Sequence, residues 1–136
     1  QEDIYRDAGM MRVDDVLSGR NATILAYGQT GSGKTHTMFG PEEVLADFLK
    51  CDPGMRGIVP RACIQIFDGL AAEKRKTPRK VRCTYIEVYN DRLNDLLGDA
   101  TDLKMLESVS EGVTIAGVTE EEAGTTQQVM DLLVRG

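Results

Sequence analysis

Residues 28–35 read GQTGSGKT and follow an apolar run, TILAY, at 23–27. The octet matches G-x-x-x-x-G-K-[ST] at every fixed position. Its placement constrains the fold more than the pattern does, because a buried strand, a glycine-rich loop and a helix are what give the pattern physical meaning. Gly28, Gly31 and Gly33 let the backbone curl until successive N–H groups converge on an anion. Lys34 supplies a charge for terminal phosphates, and Thr35 places a hydroxyl where Mg²⁺ would sit. A helix opening at Lys34 adds its positive end. A chance match in a chain of this length has odds on the order of one per cent. The segment therefore predicts an α/β core with a phosphate site.

Length and charge set bounds on what surrounds that site. The 136 residues form one domain's worth of chain, enough to bury a core. A net charge of −6 argues against a general nucleic-acid binder. One basic run, KRKTPRK at 74–80, reads as a solvated loop, with contact to an acidic partner as the alternative. Cys51, Cys63 and Cys83 are scattered and odd in number, which suits reduced thiols rather than a disulfide frame or zinc site. No apolar stretch reaches the length of a membrane span, and the acidic start QEDIYRDAG is no signal peptide. The chain reads as cytoplasmic.

Periodicity lays out the other elements. MMRVDDVLSG at 10–19 predicts a helix ending at a Gly19 cap. TILAY predicts a buried strand, and KTHTMF the helix behind the loop. The stretch 40–56 reads as an irregular surface insertion with room for a short helix at EEVLADFL. Pro60 marks the start of a further helix, with Cys63, Ile66, Phe67 and Leu70 on its apolar face. VRCTYIEVY at 81–89 predicts an inner strand covered on both faces. LKMLES and GVTIAGVT predict two short strands, and Thr125 with Gln128 a capping box for a last helix.

Three segments together carry a resemblance. AYGQTGSGKTHTM at 26–38, GIVPRACIQIF at 57–67 and YIEVYNDRLNDLL at 85–97 resemble, in order and spacing, successive signatures of the kinesin motor domain. The leading QEDIYRD…VDDVLSGRNATILAYG resembles the helix and strand before the kinesin phosphate loop. The resemblance spans 1–136 as one partial motor domain. It implies an incomplete kinesin core, of the phosphate-loop NTPase type with a central β-sheet flanked by helices. It further implies that Gly28, Gln29, Thr30, Gly31, Ser32, Gly33, Lys34 and Thr35 line the phosphates of ATP, that Thr35 holds Mg²⁺, and that His36 lies beside the adenine. Stretch 40–56 corresponds to the family's variable loop near the nucleotide pocket. Glu87, Tyr89, Asn90 and Asp91 match a signature expected to serve packing and turn formation.

Departures from the family pattern shape the functional expectation. The chain begins after the family's R-x-R-P strand and stops in what resembles the helix before the first switch. Neither N-x-x-S-S-R-S-H nor D-x-A-G-S-E occurs in it. In kinesins those switches orient the attacking water and relay loss of the γ-phosphate, so no catalytic residue is assigned here. Around 103–119, a region that touches the track in the family, Lys104 is outweighed by Asp102, Glu107 and Glu111. The resemblance implies the ATP-binding part of a microtubule motor, associated with tubulin and the cytoskeleton, present here as an excised piece or incomplete gene product. The alternative is a catalytically incompetent fragment acting as a nucleotide-binding or interaction module. No nucleic acid or membrane partner is expected. Uncovered strand edges predict self-association or marginal stability.

Overall fold

The computed structural model describes residues 1–73, 79–110 and 112–136. It opens with an almost continuous helical run: α1 (Glu2–Ile4), a π-helical segment (Tyr5–Gly9) and α2 (Met10–Leu17). The widened turn has a local cause. The Tyr5 ring folds back over Gly9, where an added Cβ would lie 2.5 Å from a ring carbon. Tyr5 is buried, and its hydroxyl donates to Gln65 Oε1 on a later helix. Burial, reinforced by the negative charge of Asp14, pushes the Tyr5 phenol up to about 12 and keeps it a donor. The predicted Gly19 cap forms. Gly19 has φ +89°, its N–H reaches Val16 O and the Arg20 N–H reaches Asp15 O, each at 2.9 Å. These are the paired bonds of a Schellman motif.

The expected strand at 23–27 does not form. Residues 20–28 run without regular structure, and Leu25 and Tyr27 are 80% and 89% exposed. A strand needs a hydrogen-bonded neighbour, and among the described residues no segment pairs with this one. Apolar composition alone could not supply that neighbour.

Helix α3 (Lys34–Phe39) forms as expected, and α4 (Glu42–Ala46) fills part of the stretch 40–56. That stretch is not the surface insertion its composition suggests. Val44 is fully buried and Phe48 nearly so. Both pack on Met130, with Leu45, Cys51, Ile64 and Leu133 around them. Arg56 lies over the Phe48 ring at 4.3 Å and donates to the Phe48 carbonyl at 3.1 Å. The two ends of the stretch meet: the Gly57 N–H donates to Phe39 O at 3.1 Å. Side chains would not fit in this neck. A Cβ at Gly40 would stand 2.5 Å from Met55 O, and one at Gly57 2.6 Å from the backbone of Met38.

Helix α5 (Ile58–Ala72) begins two residues before Pro60, which occupies the first turn where its missing N–H costs nothing. It is the common support, touched by α2, α3 and α6 (Thr126–Arg135). Cys63, Ile66, Phe67 and Leu70 are all half-buried, so the apolar face is spread among several neighbours. All three cysteines are free; burial and the nearby Cys83 lift the Cys63 thiol to about 11.

The stretch 81–89 departs from the single inner strand predicted for it. It divides into β1 (Val81–Cys83) and β2 (Ile86–Tyr89), each paired on one side only. Strand β1 pairs antiparallel with β6 (Glu121–Ala123), and β2 with β3 (Arg92–Asp95). Val88 and Tyr89 are exposed rather than covered. The β2–β3 turn uses Asn90 and Asp91 at φ +48° and +60°, the pair of positive values a two-residue type I′ hairpin requires. Glu87 accepts from Asn94 across the hairpin at 3.3 Å. The turn role expected of Asn90 and Asp91 is thus visible in the backbone.

Strands β4 (Lys104–Ser108) and β5 (Gly112–Ala116) form the predicted second hairpin. Lys104 and Glu107 sit exposed on β4; Glu111 lies outside the described residues. Of the basic run, 74–78 also lies outside them. Arg79 pairs with Glu73 and donates to Leu17 O, and Lys80 pairs with Glu122. Thr125 caps α6 by accepting from the Gln128 N–H at 3.2 Å. Gln128 returns the contact to the Gly124 N–H at 2.6 Å, one residue before the usual capping-box position.

Candidate nucleotide site

Glycine geometry shapes the loop at 28–33. Gly28, Gly31 and Gly33 have φ of +152°, +80° and +91°, values that L side chains rarely adopt. A Cβ at Gly28 would also lie 2.6 Å from Ser32 Oγ, so two constraints coincide there. The Ser32 N–H closes the turn on Gln29 O at 3.2 Å. Gly33, in the left-handed region, is the N-cap from which α3 starts, and the first helical bond runs from Thr37 N–H to Gly33 O at 2.8 Å.

Lys34 stands at the head of α3 and folds back over the loop. Its ammonium donates to Gly28 O at 2.8 Å and Gln29 O at 2.9 Å. Thr30, Gly31, Gly33, Lys34, Thr35 and His36 line one cleft of about 390 Å³. Gly28, Gln29 and Ser32 are not among its lining residues; the first two hold Lys34 through their carbonyls, and the Ser32 N–H closes the turn on Gln29. Six of the nine residues expected from the sequence therefore line this cleft. Larger clefts, of about 660 and 640 Å³, flank α5 away from this loop, so volume does not single out this cleft.

The donor set suits Mg²⁺ held mainly by phosphate oxygens. Mg²⁺ prefers hard oxygen ligands and binds through one or two protein groups plus substrate phosphates. Thr35 offers such an oxygen in the cleft that Lys34 lines. Among the described residues no group of three or more His, Cys, Asp or Glu converges as a metal cage.

The kinesin motor-domain profile matches residues 1–136. The chain belongs to the kinesin motor-domain family. It is 34% identical to kinesin-like protein KIN-12F of Arabidopsis thaliana, covering 100% of this chain and 13% of that protein. It is 39% identical to KIN-12D of the same plant, over 100% of this chain and 5% of that one. Against a kinesin heavy chain of Syncephalastrum racemosum the figures are 38%, 100% and 14%. A solved structure of a fast kinesin superposes with a TM-score of 0.89 at 35% identity, over 99% of this chain and 36% of that one. The fold is thus that of an incomplete kinesin core: helices with antiparallel strand pairs, spanning about a third of the solved chain.

One structural residue inside the kinesin signature at 85–97 escaped the sequence reading. Asp95 is buried, and its carboxylate accepts from the Leu97 N–H at 3.0 Å and the Thr119 N–H at 2.7 Å. It thereby ties the end of β3 to the strand connection near β6. Burial acts to raise its pKa, but the Thr119 hydroxyl and the N–H groups of Thr119, Leu97 and Gly98 outweigh that and hold it below the ordinary value. A depressed carboxylate stabilises the fold above its unfolded pKa, roughly 3.9, and that contribution is lost as pH falls through the lower folded value. Asp95→Asn sets an amide N–H against backbone donors, so it should cost about 1–3 kcal/mol at neutral pH. The loss should shrink below about pH 3. Urea melts of both proteins across pH check this; a difference that stays constant into acid would contradict it. The signal available in the sequence was D-x-L-G, an aspartate primed to accept from the N–H two residues on.

Proposed function

We propose that residues 28–36 bind the phosphates and base of Mg·ATP, and that the chain forms the nucleotide-binding part of a microtubule motor. The observation that carries this reading is the loop itself. Three glycines in conformations closed to other residues deliver Lys34 and Thr35 into one cleft at the head of α3. Lys34 would exchange its two carbonyl partners for the β- and γ-phosphate oxygens, keeping its charge where negative charge develops during phosphoryl transfer. Thr35 would hold Mg²⁺, which neutralises charge on the transferring group when bound. His36 would lie beside the base. Kinesin membership supports the further reading that the protein couples ATP hydrolysis to movement along microtubules and works on the cytoskeleton.

The 136 residues contain neither switch motif. Phosphoryl transfer rests on positioning and electrostatic stabilisation, so by themselves these residues are expected to bind nucleotide and turn it over slowly. Acting as a nucleotide-binding or interaction module is the second reading, favoured by that same lack. No helix among the described residues is long and apolar enough to cross a membrane. The test is a titration of the folded chain with a fluorescent ATP analogue, with and without Mg²⁺. Saturable, Mg²⁺-dependent binding is expected; none at millimolar nucleotide would overturn the proposal.

A further inference from the structure

His36 is the only histidine in the chain, and one residue far away in sequence touches both its backbone and its ring. The Gln1 amide nitrogen lies 2.6 Å from His36 O and 2.9 Å from His36 Nδ1. A carbonyl oxygen only accepts, so the amide must present its NH₂ group to His36 O, and that orientation of the amide is the consistent one. Its second hydrogen then faces Nδ1, which must accept. The imidazole proton therefore resides on Nε2, at the opposite edge of the ring.

Two further observations describe the rest of the Gln1 side chain. Gln1 is the N-cap residue of α1, yet its side chain makes no capping bond to that helix. Its own Oε1 is buried without a partner. The amide instead holds His36 at both backbone and ring. His36 in turn lines the cleft with Gly31, Lys34 and Thr35.

We propose that Gln1 is a positioning residue that holds His36 as its Nε2–H tautomer, fixing the ring beside the phosphate loop before a purine nucleoside triphosphate arrives. This rests on the reading of 28–36 as a nucleotide site. The contribution falls on the base and leaves the phosphates alone, so it affects a nucleotide and not a bare phosphate chain.

Because there is one histidine, long-range ¹H–¹⁵N spectra give a single imidazole pattern. The wild-type chain should show Nε2 protonated and Nδ1 as acceptor. Gln1→Glu keeps the shape but offers only acceptors, so the pattern should invert or become doubly protonated; Gln1→Ala should give mixed tautomers. Mg·ATP affinity should fall roughly three- to tenfold in Gln1→Ala, the worth of about one hydrogen bond, while Mg·tripolyphosphate affinity stays unchanged. A wild-type ring protonated on Nδ1 would overturn the proposal, as would equal weakening of both ligands or of neither. Failure of the wild type to bind tripolyphosphate would instead sink the phosphate-site reading, and the tautomer pattern would still decide the role of Gln1.

Discussion

Met130→Ala is expected to lower the unfolding free energy by about 2–4 kcal/mol, among the larger losses available to a single truncation in this chain. Met130 is 1% exposed and sits where α4, α5 and α6 converge, in contact with Val44 and Phe48. Truncation removes its transfer free energy and leaves a cavity that three separately anchored elements cannot close together. Met11→Ala is the matched comparison: the same chemistry at 64% exposure, with an expected change within about 0.5 kcal/mol. Urea denaturation read by circular dichroism measures both, with the slope unchanged if only stability has moved. Equal midpoints for the two variants would mean that α4 does not pack on α6.

The second large effect is functional. Lys34→Ala should weaken Mg·ATP by roughly ten- to a hundredfold, the loss of a charge-assisted contact worth about 1.5–3 kcal/mol. The fold should tolerate the change, because the ammonium touches only carbonyls of an exposed loop. Unaltered melting alongside weaker binding would place the effect on the ligand. Lys34→Arg keeps the charge but replaces a compact ammonium by a broad planar group in a tight loop, so it should recover only part of the affinity. Binding indifferent to Lys34 would mean that nucleotide contacts some other part of the chain.

Local signals in the sequence were read correctly where one residue's chemistry is enough. The αL glycines of the loop, the Gly19 cap, the Thr125 cap and the start of α3 each depend on a conformation or bond made within a few residues. Features that depend on distant partners were not legible. TILAY has strand composition, but strands exist in pairs, and no described segment lies beside it. Val44 and Phe48 sit among glycines, prolines and charges, and only their contact with Met130, more than eighty positions later, marks them as core. The glycine turns of the loop were legible for the same reason as the caps. Gln1 was not, since its partner His36 lies 35 positions away.

The neck at Gly40 and Gly57 has a practical meaning for how this region can change. Because the backbone itself fastens Phe39 to Gly57, the distance between α3 and α5 does not depend on how much chain passes through the excursion between them. Its first part is tied down by Val44 and Phe48, and its last part by Arg61, which reaches Pro53 O and Arg56 O. What remains is a tip at 49–50, with Leu49 standing 72% exposed. That tip behaves like a port on the domain surface. Residues inserted there would change what the molecule displays on this face, while α3, with Lys34 at its head, kept its place.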